Sequence, residues 1–325
     1  MLWIEHLLNA LQLGLMLFLI AAGLTLVFGV MGLVNLAHGS LYMLGAFLTA
    51  TLTQRSGSAV LGLLGGLLAM ALIGALLEFG LMRRLYPLDP LDQVLATFAL
   101  ILILNGSTRL LWGALPVSHN VPEALAGSVH LFADLHYSAY RLLIIGTGLA
   151  VALLLYWIVG HTRVGMWVRA GASNREMVQV MGVHVKGLFT AIFAFGAVLS
   201  GLAGAAMGPL TSVQVGMGEE VLILAFIVVV VGGIGSIRGA FLAALLIATL
   251  DTLCRALLPS LLGRLLPAHT ASELGPAFAS ISAYVLMAGV LMVRPAGLFA
   301  QDTGGARRRS PARATPADTP RELPT

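Results

Sequence analysis

The sequence predicts an all-α polytopic membrane protein, and three observations lead to this prediction. Hydrophobic residues make up 58% of the 325 residues and charged residues only 10%, whereas about 25% of a soluble domain is charged. The mean hydropathy is +0.96. Several apolar runs reach the roughly 20 residues that a helix needs to cross a bilayer, and none alternates like a barrel strand. We expect about eight to nine transmembrane helices, including broken or re-entrant segments.

The membrane spans follow from apolar runs that charged residues interrupt. The uninterrupted runs lie near 7–30, 59–82, 93–112, 140–160, 187–208 and 276–293. Two further apolar regions, 33–53 and 219–256, are broken by glycine and polar residues. The first run has no basic leader and no small-residue cleavage site, so we expect a retained span and not a signal peptide.

The distribution of basic residues predicts the orientation. Thirteen of the eighteen Lys and Arg residues fall on the side of the C-terminal tail, and five fall on the other side: Arg55, Arg109, Arg141, Arg255 and Arg264. The positive-inside rule therefore places the tail in the cytoplasm. Because the basic residues are spread over loops, the net charge of +4 does not indicate nucleic-acid binding.

The first broken region, GLVNLAHGS at 32–40, contains two polar side chains. Asn35 and His38 are three residues apart and would share one face of a helix, where a polar face at membrane depth must meet other helices or water. Two interpretations stay open. These residues cap and join helices, or together with Gly39 they line a translocation path.

The second broken region has four glycines in eight residues, followed by an apolar helix pattern. Its members are Gly232, Gly233, Gly235, Ser236 and Gly239, and its order of apolar half, glycine break and apolar half resembles that of the first break. Matched broken helices in internal repeats are typical of transporters and tend to lie beside the transport route. The spacing is not the GxGxxG of a dinucleotide site, so it predicts helix bending and a candidate path.

A polar, basic island at 161–186, HTRVGMWVRAGASNREMVQVMGVHVK, separates two apolar spans. It carries four basic residues and a short helical pattern, so it must face water. The basic-residue distribution places it in the cytoplasm. We expect it to contact a partner protein.

The sequence excludes several kinds of chemistry. A phosphate-binding loop needs GxxxxGK[ST], and the only lysine, Lys186, is followed by Gly187 and Leu188, so any ATP must be hydrolysed by another subunit. His119, His130 and His136 are 11 and 6 residues apart, which fits no helical pair of metal ligands. No nucleophile and base pair indicates an enzyme. Asp251 and Arg255, one helical turn apart, are expected to neutralise each other, which leaves few deep carboxylates for a proton-driven carrier.

Three ordered motifs resemble the permease subunits of bacterial branched-chain amino-acid ABC importers of the LivH type. They are AAGLTLVFGVMGLVNLAHGSLYMLGA at 21–46, TRVGMWVRAGASNREMVQVMGV at 162–183 and AFIVVVVGGIGSIRGAFLAALL at 225–246. The resemblance implies a permease domain over 1–300, in which the segment 161–186 couples to an ATPase, followed by a cytoplasmic tail at 301–325. The polar, proline-rich composition of this tail predicts disorder.

The resemblance implies that 162–183 docks in a groove of the ATPase subunit. The candidate coupling residues are Arg163, Gly165, Arg169, Ala170, Asn174, Met181 and Gly182. Ala172 to Met181 can form a short helix with Met177, Val178, Val180 and Met181 on an apolar stripe, and Gly182 is expected to end it.

The same resemblance implies the partners and the location. They are a homologous second permease, two ATPases that hold ATP and Mg, a periplasmic substrate-binding protein and the lipid of the bacterial inner membrane; no cofactor is expected on this chain. Related permeases carry urea or short amides, and the motifs do not separate these substrates from branched-chain amino acids. A secondary carrier driven by an ion gradient is a further alternative.

Overall fold

The structure is a computed structural model that describes residues 2–132, 135–173, 175–264 and 267–299. The tail at 301–325, which the composition predicts to be disordered, lies outside the described residues, as does Asn174. The helices are α1 (Leu2–Met31), α2 (His38–Ser56), α3 (Ala59–Leu77), α4 (Arg83–Leu85), α5 (Pro90–Trp112), α6 (Ala139–His161), α7 (Arg163–Ser173), α8 (Arg175–Val180), α9 (Val185–Met207), α10 (Met217–Gly232), α11 (Ile237–Leu262) and α12 (Ala268–Val293). A π-helical turn, Glu78–Met82, joins α3 to α4, and a 3-10 turn covers Glu123–Leu125. The two strands are β1 (Ser128–Phe132) and β2 (Leu135–Ser138).

Seven helical stretches in the described part of the chain are long and apolar enough to cross a membrane. They are Trp3–Met31, Ala59–Leu85, Pro90–Trp112, Ala139–His161, Val185–Met207, Ile237–Leu262 and Leu274–Val293. With α2 and α10, which flank the two breaks, they make nine apolar helices. This number confirms the prediction of an all-α polytopic fold with about eight to nine helices that include broken segments.

α1 lies at the centre of the bundle, packed against α6, α9, α10 and α11. In its most apolar window 83% of the residues are buried, against 22% for α3, α5, α6 and α11. Small residues permit this close packing: a Cβ added at Gly23 would lie 2.9 Å from the carbonyl oxygen of Gly196 on α9. Such contacts between small residues are the usual way in which helices associate in lipid.

The outer helices expose apolar faces. On α3 a stripe of leucines recurs every three or four residues, with 59% to 74% of each residue exposed: Leu61, Leu64, Leu68, Leu72 and Leu76. In water such a stripe would drive association. In a bilayer, lipid chains or a neighbouring membrane subunit cover it, so the exposure pattern agrees with the predicted membrane location.

The segment between α5 and α6 contains an antiparallel hairpin that the sequence did not predict. β1 pairs with β2 so that His130 lies opposite His136, with 3.7 Å between the ring centroids. Before the hairpin in the same segment, Val117 pairs with Val213, and Gln54 donates to the Ser118 carbonyl at 2.7 Å. These contacts hold the connecting segment over the end of α2 and the start of α10.

Candidate functional site

The first break separates α1 from α2, and the structure corrects one prediction about it. Asn35 and His38 do not share a helix face, because Asn35 lies in the non-helical link and α2 begins only at His38. The Asn35 side-chain oxygen instead accepts a hydrogen bond from the Ala37 N–H at 3.1 Å. An asparagine that bonds to its own backbone two residues on favours a turn over a helix, which explains the difference.

The polar residues of the first break are enclosed by neighbouring helices. Asn35 and His38 are fully buried. The Ser200 hydroxyl of α9 donates to the His38 carbonyl at 3.0 Å, and a Cβ on Gly23 would lie 2.9 Å from the His38 Nε2. Gly39 in turn packs directly on the backbone of Gly218 in α10. The break thus joins α1, α2, α9 and α10, while its role in lining a path stays a prediction.

The second break is a tight reversal between α10 and α11. Gly233 and Gly235 have φ angles of 101° and 81°, a region that non-glycine residues rarely occupy. Ser236 then caps α11, because its hydroxyl accepts from the Gly239 N–H at 3.1 Å. Gly239 packs on the backbone of Gly232, so the two helices meet without intervening side chains. The glycines thus form a break between two separate helices, while their role in a translocation path stays a prediction.

The end of α1, which directly precedes the first break, packs against the second break. A Cβ on Gly29, in the last turn of α1, would lie 2.7 Å from the Cα of Gly235. The sequence indicated two similar breaks but not this contact, because no local pattern predicts a neighbour some 200 residues away. The helix that leads into the first break is therefore in direct backbone contact with the second.

Residues after α12 complete the second break, and sequence analysis missed them. The backbone N–H groups of Leu298 and Phe299 donate to the carbonyls of Val231 at 2.8 Å and Gly232 at 3.1 Å. These are terminal carbonyls of α10, which have no partner inside the helix. The turn depends on Gly297, whose φ is 83°. The sequence Pro-Ala-Gly at 295–297 does indicate a turn, but such a pattern does not show that the turn contacts another helix.

The predicted coupling segment forms two short helices, α7 and α8, at the end of α6. Gly165 packs directly on carbonyls of the last turn of α6, and Arg169 donates to the carbonyl oxygen of Val159. Arg163 is exposed and Ala170 is half-buried. Arg169 therefore joins α7 to the end of α6, whereas Asn174 lies outside the described residues.

Gly182 ends α8, as the sequence predicted. Its φ is 83°, its N–H donates to the Gln179 carbonyl at 3.0 Å, and the Val183 N–H donates to the Val178 carbonyl at 3.3 Å. This pair of bonds is the Schellman arrangement, in which a left-handed glycine satisfies the final carbonyls of a helix. The chain is thereby turned back towards α9.

The apolar residues of the coupling segment divide between two faces. Val168 and Val178 are buried against the bundle, while Met177, Val180 and Met181 are 57%, 83% and 76% exposed. Val178 therefore belongs to the core and not to the predicted apolar stripe. The three exposed residues form an apolar patch, which we name the coupling surface because it lies in the predicted coupling segment.

A buried polar cluster lies next to the coupling segment. The Glu78 carboxylate, fully buried, accepts from the Arg83 Nε at 3.1 Å and from the Tyr86 hydroxyl at 3.1 Å. The Thr190 hydroxyl of α9 donates to the same carboxylate at 2.7 Å, and Tyr86 also reaches the Met31 sulfur at 3.7 Å. The cluster joins the π-helical turn after α3, the start of α9 and the end of α1. π-helical turns often occur at functional sites.

The remaining charged groups in the spans are few. Arg255 pairs with Asp251 at 2.8 Å, so the predicted neutralisation is confirmed. Asn105 of α5 donates to Glu219 at the start of α10 at 2.5 Å. Within the described residues no three His, Cys, Asp or Glu side chains lie together as metal ligands would.

Known proteins were compared with this chain. The profile of the family described as "Branched-chain amino acid transport system / permease component" matches residues 6–293. The high-affinity branched-chain amino acid transport system permease protein BraD of Pseudomonas aeruginosa is 28% identical over 314 residues, which cover 91% of this chain and 95% of that protein. The permease protein LivH of Salmonella typhimurium is 25% identical, with coverages of 91% and 95%. The ribose import permease protein RbsC of Escherichia coli is 26% identical, with coverages of 76% and 77%. No solved structure matches the chain significantly.

Proposed function

Because the chain belongs to the family of branched-chain amino acid transport permease components, we propose that it carries branched-chain amino acids across the bacterial inner membrane as one subunit of an ABC importer. The observation that carries this proposal is the family match over 6–293, on a fold with seven candidate spans and two paired helix breaks. In the proposed orientation the end of α12 and the coupling segment face the cytoplasm.

The proposed complex contains a homologous second permease, two ATPases and a periplasmic substrate-binding protein. The ATPases hold ATP and Mg, since this sequence has no phosphate-binding loop. The exposed apolar faces of α3, α5 and α6 offer area for the second permease and for lipid. The coupling surface offers an apolar patch of Met177, Val180 and Met181 to a groove on the ATPase.

A chain of contacts connects the coupling segment to the two breaks. A Cβ on Gly171 of α7 would lie 3.5 Å from a methyl group of Val30, in the last turn of α1. One residue earlier in α1, Gly29 packs against Gly235 of the second break. When the ATPases close, displacement of α7 would move the end of α1 and shift both breaks as a rigid body.

The proposed path runs beside the two breaks and opens when the surrounding helices move, because Asn35 and His38 are fully buried in this structure. Gly232, Gly233 and Gly235 present backbone without side chains beside the path, and Asn35 and His38 supply polar groups at the level of the first break. The substrate is hydrophobic, so apolar walls suffice for its side chain, and selection rests largely on the periplasmic binding protein.

Uptake into proteoliposomes tests the function. The chain is reconstituted with its second permease, ATPases and binding protein, and uptake of radioactive leucine is measured with urea, a short amide or ribose as competitor. We expect ATP-dependent leucine uptake that excess valine inhibits and the three competitors do not. Uptake by this chain alone on an ion gradient would contradict the proposal, and inhibition by urea or the amide would assign the alternative substrate.

The coupling role is tested with Gly182→Asp and Ala170→Glu. Gly182→Asp puts a side chain on a residue whose backbone has a positive φ. Ala170→Glu places a charge at a half-buried position of α7. We expect both variants to assemble in the membrane but to hydrolyse ATP without stimulation of uptake. Gln179→Glu, an exposed change on α8, is the matched control and should transport normally. Normal leucine uptake in both test variants would show that coupling occurs elsewhere.

A further inference from the structure

A cavity of about 600 Å³ lies between α1, α6, α7 and α11. Its walls are largely apolar and include Phe18, Leu26, Leu149 and Phe241. Two arginines, Arg169 and Arg238, lie at one end. The cavity therefore combines a long apolar part with a localised positive charge.

Neither arginine is paired with a carboxylate in the part of the chain that the structure describes. The ion pairs found within the described residues are Arg83 with Glu78 and Arg255 with Asp251, so neither Arg169 nor Arg238 has a carboxylate partner there. Arg238 is exposed and lies over the Tyr156 ring, with 5.2 Å from its guanidinium carbon to the ring centroid. This contact holds the guanidinium at the rim of the cavity while leaving its N–H groups available.

The position of the cavity along the bundle matches one leaflet of a bilayer. Its wall on α6 runs from Leu149 to Gly160, about 16 Å of helix axis, which is close to half of a hydrocarbon core of about 30 Å. The charged end lies where α6 gives way to the coupling segment. In the proposed orientation this end is level with the headgroups of the cytoplasmic leaflet.

The lining chemistry selects an anion over the transported amino acid. A zwitterionic amino acid needs acceptors for its ammonium group as well as donors for its carboxylate. No Asp or Glu stands among the described residues that line the cavity, whereas two arginines do. An anionic phospholipid satisfies both parts, since a phosphate suits guanidinium groups and an acyl chain suits the apolar walls.

We propose that this cavity binds one anionic phospholipid of the cytoplasmic leaflet. Its phosphate contacts Arg169 and Arg238, and one acyl chain fills the space between α1, α6 and α11. The bound lipid thereby contacts α7 and the second break at Ser236, both of which line the cavity. The inference is separate from the identity of the transported substrate.

Native mass spectrometry of the full chain, purified in detergent with its associated subunits, tests the lipid site. The protein is titrated with phosphatidylglycerol or phosphatidylcholine of the same acyl chains, and the bound fractions are compared. We expect one phosphatidylglycerol per chain, retained more strongly than phosphatidylcholine. Arg238→Gln should lower that preference roughly fivefold, the contribution expected of one arginine near an anionic surface.

Two further variants separate the cavity from general surface charge. Arg84→Gln removes an exposed arginine of α4 that does not line the cavity, and it should leave the preference unchanged. Ala152→Phe keeps both arginines but fills the apolar part, and it should abolish retention of either lipid at this site. Circular dichroism confirms that each variant remains folded.

Three outcomes would overturn the proposal. They are an equal retention of both lipids by the unmodified chain, an equal effect of Arg84→Gln and Arg238→Gln, and unchanged binding in Ala152→Phe.

Cross-linking from a photoreactive phenylalanine at position 153, on the cavity wall, is an independent test of what fills the cavity. Its cross-linking to the second permease, and not to lipid, would show that protein fills the cavity.

Discussion

The Thr190 hydroxyl donates a hydrogen bond to the Glu78 carboxylate at 2.7 Å and so connects α9 to the π-helical turn that follows α3. The same hydroxyl lies 3.0 Å from the carbonyl of Lys186, the last residue of the polar island. Arg83 completes the cluster through bonds to both Glu78 and Thr190. One buried carboxylate therefore connects the turn after α3 to α9, the helix in which the polar island ends.

Substitution of Glu78 by alanine is expected to destabilise the fold by about 3 kcal/mol, because it leaves the Arg83 guanidinium partly buried without its counter-charge. Thr190→Val removes one hydrogen bond and should cost about 1 kcal/mol. Denaturant or thermal unfolding in detergent measures both values. Glu123→Ala, at an exposed carboxylate in the 3-10 turn, is the control, and an equal loss in it and in Glu78→Ala would contradict the expectation.

The contact between the end of α1 and the second break predicts that Gly29→Ala impairs transport. The new methyl group would lie 2.7 Å from the Cα of Gly235, and backbone cannot move aside as a flexible side chain can. Forcing α1 away from the second break should cost about 1–3 kcal/mol and lower leucine uptake by at least about tenfold. Gly146→Ala is the matched control, since a Cβ at Gly146 meets open space. Wild-type uptake by Gly29→Ala would show that transport does not depend on this contact.

Truncation distinguishes the turn after α12 from the tail beyond it. Removal of residues 303–325 retains the N–H groups of Leu298 and Phe299, so uptake and stability should stay unchanged. Removal of 295–325 deletes both donors to the end of α10 and should cost about 2 kcal/mol, at roughly 1 kcal/mol per hydrogen bond. Uptake and the melting temperature of the two truncated chains are compared directly. Equal behaviour of the two would mean that α10 needs no cap.

The connecting segment before the hairpin should loosen in acid. Burial lowers the pKa of His119 below its ordinary value of 6.5. When the segment is undocked, the His119 side chain takes up a proton as the pH falls through 6.5; when it is docked, protonation needs a lower pH. The free energy of docking therefore weakens between pH 6.5 and the lowered pKa, and it does not weaken further below that pKa. Hydrogen exchange of residues 113–127 at pH 7.5 and pH 5.5 measures this change as the protection relative to the rate of an unstructured chain at the same pH. His119→Gln should abolish the pH dependence of the protection, and an unchanged dependence would assign it to another group.

Local patterns predicted the features that depend on local chemistry. The length of an apolar run determines a span, and the two glycine breaks and the helix stop at Gly182 follow from backbone preferences that the residues themselves carry. The ion pair between Asp251 and Arg255 follows from their spacing of one helical turn. Each of these predictions is confirmed.

Features that depend on distant partners escaped sequence reasoning. The periodicity of Asn35 and His38 suggested one helix face, but the Asn35 side chain bonds to the Ala37 N–H and keeps that link non-helical. Val178 was expected on the apolar docking stripe of α8. It is buried because other helices of the bundle pack against it, and the sequence of α8 alone does not show this. The contacts of Gly29 with Gly235 and of Phe299 with Gly232 join segments far apart in the chain, and only the three-dimensional packing reveals them.

The burial of α1 at the centre of the bundle has a consequence for biogenesis. α1 leaves the ribosome well before α9, α10 and α11, the helices that enclose it. Until those helices are inserted, its small-residue faces around Gly14, Gly23 and Gly29 have only lipid or an insertase to contact. The enclosure of α1 therefore waits for α11, and a chain released before α11 is complete would leave the small-residue faces of α1 exposed to lipid.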